Sequence, residues 1–311
     1  MNLSALAQPA GSAVSGRFFL VSTLPTTLAV TYLLVLVWAG APGPVRFAHA
    51  WRTAAGLGTG QILLLLLVIT SVGVVTMPLQ LPLVRWLEGY WPDRLEPLAG
   101  FCRTRQGKRR DTLVTELVPG ADLQRAGETG HRQRTRYPVE PHRLRPTALG
   151  NALTAAETRA GRAYGLDAPV VWLRLEPLLG DRIRTAVADR RDAMDAATRM
   201  SVTVGLCVPP TVWLLWRSGW WLALAALLAA VSRLGYVAAV HAAVAYGQYV
   251  EAAFDLHRFD LLTALHLPLP EDRTQELATG AALSTLWRQG HAGPPLFRYD
   301  HGPGDRPPPQ A

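Results

Sequence analysis

Acidic residues are missing from two long stretches of this chain: none of its 23 aspartates and glutamates precedes Glu88, and none lies between Asp195 and Glu251. Proton relays and cation pathways through a membrane usually need an intramembrane carboxylate, so these gaps argue against a proton-coupled carrier or a cation channel. Cysteine is equally scarce. Cys102 sits beside a basic run and Cys207 inside an apolar stretch, which leaves no disulfide framework and no metal-ligand spacing. The chain also lacks a Gly-rich phosphate loop, a zinc-protease helix, a nucleophile elbow and a kinase signature. No cofactor, no metal and no reaction type is therefore indicated by a motif.

The acid-free stretches contain four apolar runs, residues 18–39, 62–84, 200–216 and 220–240. Each has the length a helix needs to cross a hydrocarbon core of ~30 Å at ~1.5 Å per residue. The chain is 49% hydrophobic and only 17% charged over 311 residues, as expected if apolar residues gather in a membrane. Residues 62–68 are seven apolar residues in succession, with no amphipathic stripe of the kind that packs a soluble helix onto a core. Trp38 and Trp51 flank the first loop, Trp216, Trp220 and Trp221 bracket the last turn, and Trp86, Tyr90 and Trp91 follow the second run. Aromatic rings favour the headgroup layer, so this placement predicts two membrane hairpins.

Orientation follows from arginine. Residues 86–199 hold 20 of the 31 basic side chains, and by the positive-inside tendency this insertion is cytoplasmic, as are residues 1–17 and the C-terminus. The predicted fold class is all-α: an integral membrane protein with four transmembrane helices in two hairpins and a basic helical cytoplasmic insertion. "WAGAP" at 38–42 offers a small-residue cleavage site, and the sequence leaves open whether the first hydrophobic segment is removed.

Within the insertion, Arg103, Arg105, Lys108, Arg109 and Arg110 form a basic run close behind the second span. An anionic bilayer surface is its expected partner, and no nucleic-acid motif is present. Residues 120–146 are rich in Gly, Pro, Arg and His without a hydrophobic period, which predicts an extended arm or loop. Order returns with Thr147 as N-cap of a helix whose apolar face is Leu149, Ala152, Leu153 and Ala156. Asp167 and Asp181 are expected to cap two further helices, the second entering the third span. The phrases "RPTALGNALTAAE", "YGLDAPVVWLRLEPLL" and "EAAFDLHRFDLLTALHLPLP" resemble those of uncharacterised multi-spanning bacterial membrane proteins, mainly actinobacterial, of unknown function. The resemblance implies a membrane location and assigns no residue a role.

The fourth run continues without proline as far as Pro268, predicting one helix over about 220–266, with residues 241–287 as a cytoplasmic helical extension and 288–311 as a Pro/Gly-rich disordered tail. Glu251 and Asp255 share a helix face, as do His257 and Asp260. Their residue types suit a metal, but Arg258 at three residues from Asp255 favours an ion pair. Arg233, a cation inside the fourth run, has three readings. It snorkels to inner-leaflet phosphates; or it locks the last hairpin by donating to Thr203 and to the Gly205 carbonyl that Pro209 leaves free; or it attracts anions in a pore built by several subunits. The function expected from the sequence is a non-enzymatic, membrane-anchored helical scaffold or interaction module that binds itself or a protein partner. The alternatives are an oligomeric, anion-passing channel or transporter and a membrane enzyme using cytoplasmic carboxylates.

Overall fold

Helix is the only regular structure among the described residues, which in this computed structural model are 16–115, 123–290 and 297–300. In chain order the α-helices are α1 (Gly16–Trp38), α2 (Phe47–Ala55), α3 (Thr59–Leu87), α4 (Glu96–Thr115), α5 (Leu123–Arg136), α6 (Ala148–Arg159), α7 (Ala168–Leu175), α8 (Asp181–Leu215), α9 (Ala223–Ala264) and α10 (Arg273–Gln289). The all-α expectation holds. The chain divides into two compact units. One, here called the polar unit, contains Pro97–Arg191 and Ala243–Ala311; the other, the apolar unit, contains Gly11–Glu96 and Asp192–Ala242.

All four apolar runs of the sequence are helical over nearly their full length. By length and composition, one helix among the described residues is able to cross a membrane. It is Gly219–Ala264, whose most apolar window has mean hydropathy 1.9 and is only 22% buried. Phe47–Ala55 and Thr59–Gly73 meet the same standard as a pair, bent by 114°. In the apolar unit Leu36, Ala41, Leu214 and Leu215 are buried together, while Leu63, Leu64, Leu67, Trp213, Trp216 and Trp220 are each more than 60% exposed. Burying one such side chain is worth about 1.5–3 kcal/mol, so water is a poor solvent for this surface.

The last hairpin of the apolar unit is held by close backbone approach. The hydroxyl of Ser201 donates to the carbonyl of Ser232 and the hydroxyl of Ser232 donates to the carbonyl of Ser201, each at 2.9 Å. A Cβ on Gly235 would lie 3.3 Å from the Ser201 backbone, and one on Gly205 would lie 2.9 Å from the Ser232 hydroxyl. Small residues let the two backbones meet, and the serines satisfy each other without water.

The polar unit has its own core. Trp172, Val171 and Leu175 of α7 pack with Val250, Phe254 and Leu261 of α9, all essentially inaccessible. The Trp172 and Phe254 rings lie 6.2 Å apart. Helix α6 presses against α9 so tightly that a Cβ on Gly247 would come within 2.6 Å of the Ala156 Cβ. Thr147 caps α6 as the sequence predicts, accepting from the Gly150 amide at 3.1 Å. The fully buried Asn151 accepts from the Arg145 amide at 2.7 Å and donates to the Arg145 carbonyl at 3.0 Å, fixing the approach to the helix.

Three local expectations are corrected. Residues 123–136 are the helix α5 rather than an extended arm. Gln, Arg, Ala and Glu are good helix formers even without an apolar stripe, and a Glu128–Arg132 pair spans one turn. Asp167 does not cap α7 with its side chain; it pairs with Arg288, and its amide donates to the Ser284 hydroxyl at 2.9 Å. Asp181 lies inside the first turn of α8, where its charge favours the helix N-terminus. The helix predicted over about 220–266 is observed, with its α-helical part ending at Ala264, and α10 follows after a break around Pro268. Most of the tail lies outside the described residues.

Candidate functional site

Arg233 is exposed and its guanidinium stands 5.8 Å from the Tyr236 ring. Thr203 is buried on the neighbouring helix of the hairpin. Arg233 donates neither to Thr203 nor to the Gly205 carbonyl, and Ser201 and Ser232 make the polar contact between the helices instead. Arg103, Arg105, Lys108, Arg109 and Arg110 all lie on α4. Arg105, Lys108 and Arg109 are exposed, and Arg110 donates to Asp111 through Nε at 3.1 Å and Nη2 at 2.9 Å.

The cluster at the end of α9 forms separate pairs rather than one centre. Glu251 forms an ion pair with Arg159 at 2.8 Å. Asp255 accepts from the Tyr164 hydroxyl at 2.8 Å, and His257 Nδ1 meets Asp260 at 2.7 Å. Arg258 takes Glu276 at 2.7 Å and the main-chain carbonyl of Asp255, not its carboxylate, and it covers the Tyr164 ring at 4.3 Å. Among the described residues no group of three or more His, Cys, Asp or Glu side chains is placed to hold a metal ion.

Two of these pairs, Arg159–Glu251 and Tyr164–Asp255, border a semi-open cleft of about 800 Å³ wholly within the polar unit, which Arg110, Arg134, Arg162 and Tyr137 also line. Helix α4 supplies Arg110, α5 supplies Arg134 and α6 supplies Arg159. Arg162 and Tyr164 come from a 3₁₀ turn flanked by Gly161 and Gly165, with φ of 74° and 71°. A Cβ at Gly161 would fall 2.8 Å from the Leu166 carbonyl, so both the left-handed backbone and the close packing favour glycine there. Glu251 and Asp255 of α9 also line the cleft. Burial raises the Glu251 carboxyl above its ordinary value against the opposing pull of Arg159 and Arg134. Burial also lowers the Arg159 guanidinium, against the pull of Glu251. The Tyr137 phenol is raised by burial, and its hydroxyl points to Gln106 at 3.4 Å.

Of the residues named from sequence, only Arg110, Glu251 and Asp255 meet at this cleft. Arg134, Tyr137, Arg159, Arg162 and Tyr164 were missed; the available signal was the density of arginine in "RQRTRYP" at 132–138. The residues lining the cleft offer guanidinium donors, two phenols and the carboxylates of Glu251 and Asp255.

A second, smaller hollow of about 330 Å³ holds Glu157 beside Arg143 and Arg162. Burial raises the Glu157 carboxyl above its ordinary value, outweighing Arg145 and Arg143. The folded chain thus holds this proton more tightly than the unfolded chain. The corresponding contribution to stability is present below the ordinary carboxylate range and lost as pH rises through the raised value. Glu157→Gln is therefore expected to raise Tm at pH 8 and to leave it nearly unchanged at pH 4. Thermal unfolding of the two proteins at both pH values checks this, and an equal shift at both would contradict it.

No family model, curated protein or solved structure matches this chain.

Proposed function

We propose that this protein is a non-enzymatic integral membrane protein, with four spans in two hairpins carrying a helical binding module on the cytoplasmic side. The observation that carries the reading is the apolar half of Gly219–Ala264, long enough to cross a bilayer and only 22% buried by the rest of the chain. Lipid is the solvent in which exposed Leu63, Leu64, Leu67 and Leu227 have no penalty. The exposed Trp213, Trp216 and Trp220 suit the headgroup layer. The concentration of basic residues in 86–199 supports a cytoplasmic polar unit. Each exposed cation of α4 near an anionic leaflet adds about 1 kcal/mol of attraction. The other helices of the polar unit offer surface for a second copy or a protein partner.

Washing isolated membranes with sodium carbonate at alkaline pH tests the reading. The protein is expected to stay in the pellet and to enter solution only with detergent; release by carbonate alone would overturn it. Cys102, half-buried on α4, reports the side. A membrane-impermeant maleimide is expected to label it only after the cells are opened, and labelling of intact cells would reverse the proposed topology.

A further inference from the structure

The arginines of the cleft are not equivalent. Arg110 is held by Asp111 at 2.9 Å, Arg159 by Glu251 at 2.8 Å and Arg162 by Glu140 at 2.6 Å. Arg134 lines the same cleft, is exposed, and has no carboxylate at ion-pair distance among the described residues. Its charge acts on both members of the Arg159–Glu251 pair. The cleft is therefore a place where guanidinium groups from several elements converge while one of them keeps its hydrogen-bonding fork open. A guanidinium fork matches two oxygens of a phosphate, and a dianion with three free oxygens can engage two forks at once. Tyr137 adds a hydroxyl at the same wall.

We propose that this cleft binds a phosphate monoester, anchored by Arg134 and seated against Arg162, with Glu251 as the anion that competes with it for Arg159. The inference rests on the reading of the polar unit as a binding module and names its ligand class. The ligand is either a soluble phosphorylated compound or the headgroup of a phosphomonoester lipid, which share the recognised group. About 800 Å³ is ample for either headgroup. The role of Glu251 separates this site from a merely basic surface. Any nearby carboxylate repels an anion through space, and Glu251 in addition holds the Arg159 guanidinium that the ligand would use. Here removal of one cation and removal of one anion have opposite signs.

Calorimetric titration of the detergent-purified full chain, at constant ionic strength set by chloride, uses glycerol phosphate as the soluble probe and short-chain phosphatidic acid as the lipid probe. Saturable binding of at least one probe is expected. Arg134→Ala is expected to weaken it about tenfold or more, the loss of a charge-assisted contact, and Arg134→Lys to recover part of that. Glu251→Gln, which keeps an acceptor for Arg159 but removes the charge, is expected to tighten binding. Equal affinity for the two probes assigns the site to a soluble ligand, and clear preference for the phosphatidic acid assigns it to a lipid. Absence of saturable binding, or Arg134→Ala binding like the natural chain, overturns the proposal. So does Glu251→Gln weakening the affinity in a protein whose Tm shows it folded. Because the titration is done in detergent, its failure leaves the carbonate result standing, and the reverse also holds.

Discussion

Replacing Trp172 by alanine is expected to destabilise the polar unit by about 3–5 kcal/mol, the usual cost of truncating a large buried aromatic side chain. Trp172 is 1% exposed and meets Phe254, which is also fully buried. Its neighbours Val171, Leu175, Val250 and Leu261 are themselves buried in the same cluster of two helices, so they have little freedom to collapse into the space left. Trp172→Phe keeps an aromatic ring and most of the apolar contact, and its loss should be roughly half as large. Thermal or denaturant unfolding of the purified chain reads both. The same variants have no reason to alter the carbonate resistance proposed above, because Trp172 belongs to the polar unit. A Trp172→Ala protein as stable as the natural one would mean that α7 does not form the core described here.

The elements legible in the sequence are those whose signal is contiguous. The four apolar runs need no partner to be recognised, and all are helical. The Thr147 cap is a local exchange between one hydroxyl and the Gly150 amide, which residue type and spacing are enough to predict. The last hairpin is instructive because only half of it was legible. The Arg233–Thr203 pairing considered from the sequence implies a turn centred on Ser218, which also places residues 201 and 235 opposite each other, and a Cβ on Gly235 would lie 3.3 Å from the Ser201 backbone. Register was therefore right. The rotation of each helix about its axis was left open among the three readings of Arg233, because a nearly uniform apolar helix has no moment to fix its face. Ser232 and Gly235 turn inward, and Arg233 turns out toward Tyr236.

The cleft was illegible for a different reason. Its guanidinium groups come from α4, α5, α6 and the turn after α6, and no spacing rule joins residues on separate elements. Helix α5 carries Arg134 among almost no apolar side chains, so the pattern reading assigned it to a loop. Arg258 shows the same limit at short range. Asp255 is three residues away, but the side chain reaches Glu276 of α10, since tertiary contacts override neighbours on one helix when the partner is better placed.

Glu251→Ala should be among the most damaging substitutions in the polar unit. It leaves Arg159, whose side chain is only 10% exposed, without its counter-charge, and breaking a buried pair from one side costs about 3–5 kcal/mol. Partial exposure of Glu251, at 29%, places the expected loss toward the lower end of that range. Replacing both partners by leucine should recover most of it, because two apolar side chains have no desolvation to offset. A double-mutant cycle on unfolding free energies therefore has a large coupling term, and additive losses would show that the pair is not coupled in solution. The pH dependence supplies an independent sign. Burial is the leading influence on Glu251 and raises it, while Arg159 lowers it. The natural chain thus holds the Glu251 proton more tightly when folded, and this contribution to stability declines as pH rises through the raised value. Arg159→Leu removes the principal lowering influence, so the carboxyl rises further and the decline becomes steeper and extends to higher pH. Unfolding measured from pH 4 to pH 8 should show the Arg159→Leu protein approaching the natural stability at the acid end and departing from it toward neutrality. A constant difference across that range would mean that Glu251 does not titrate against Arg159, and the cleft would then need another account of its charge.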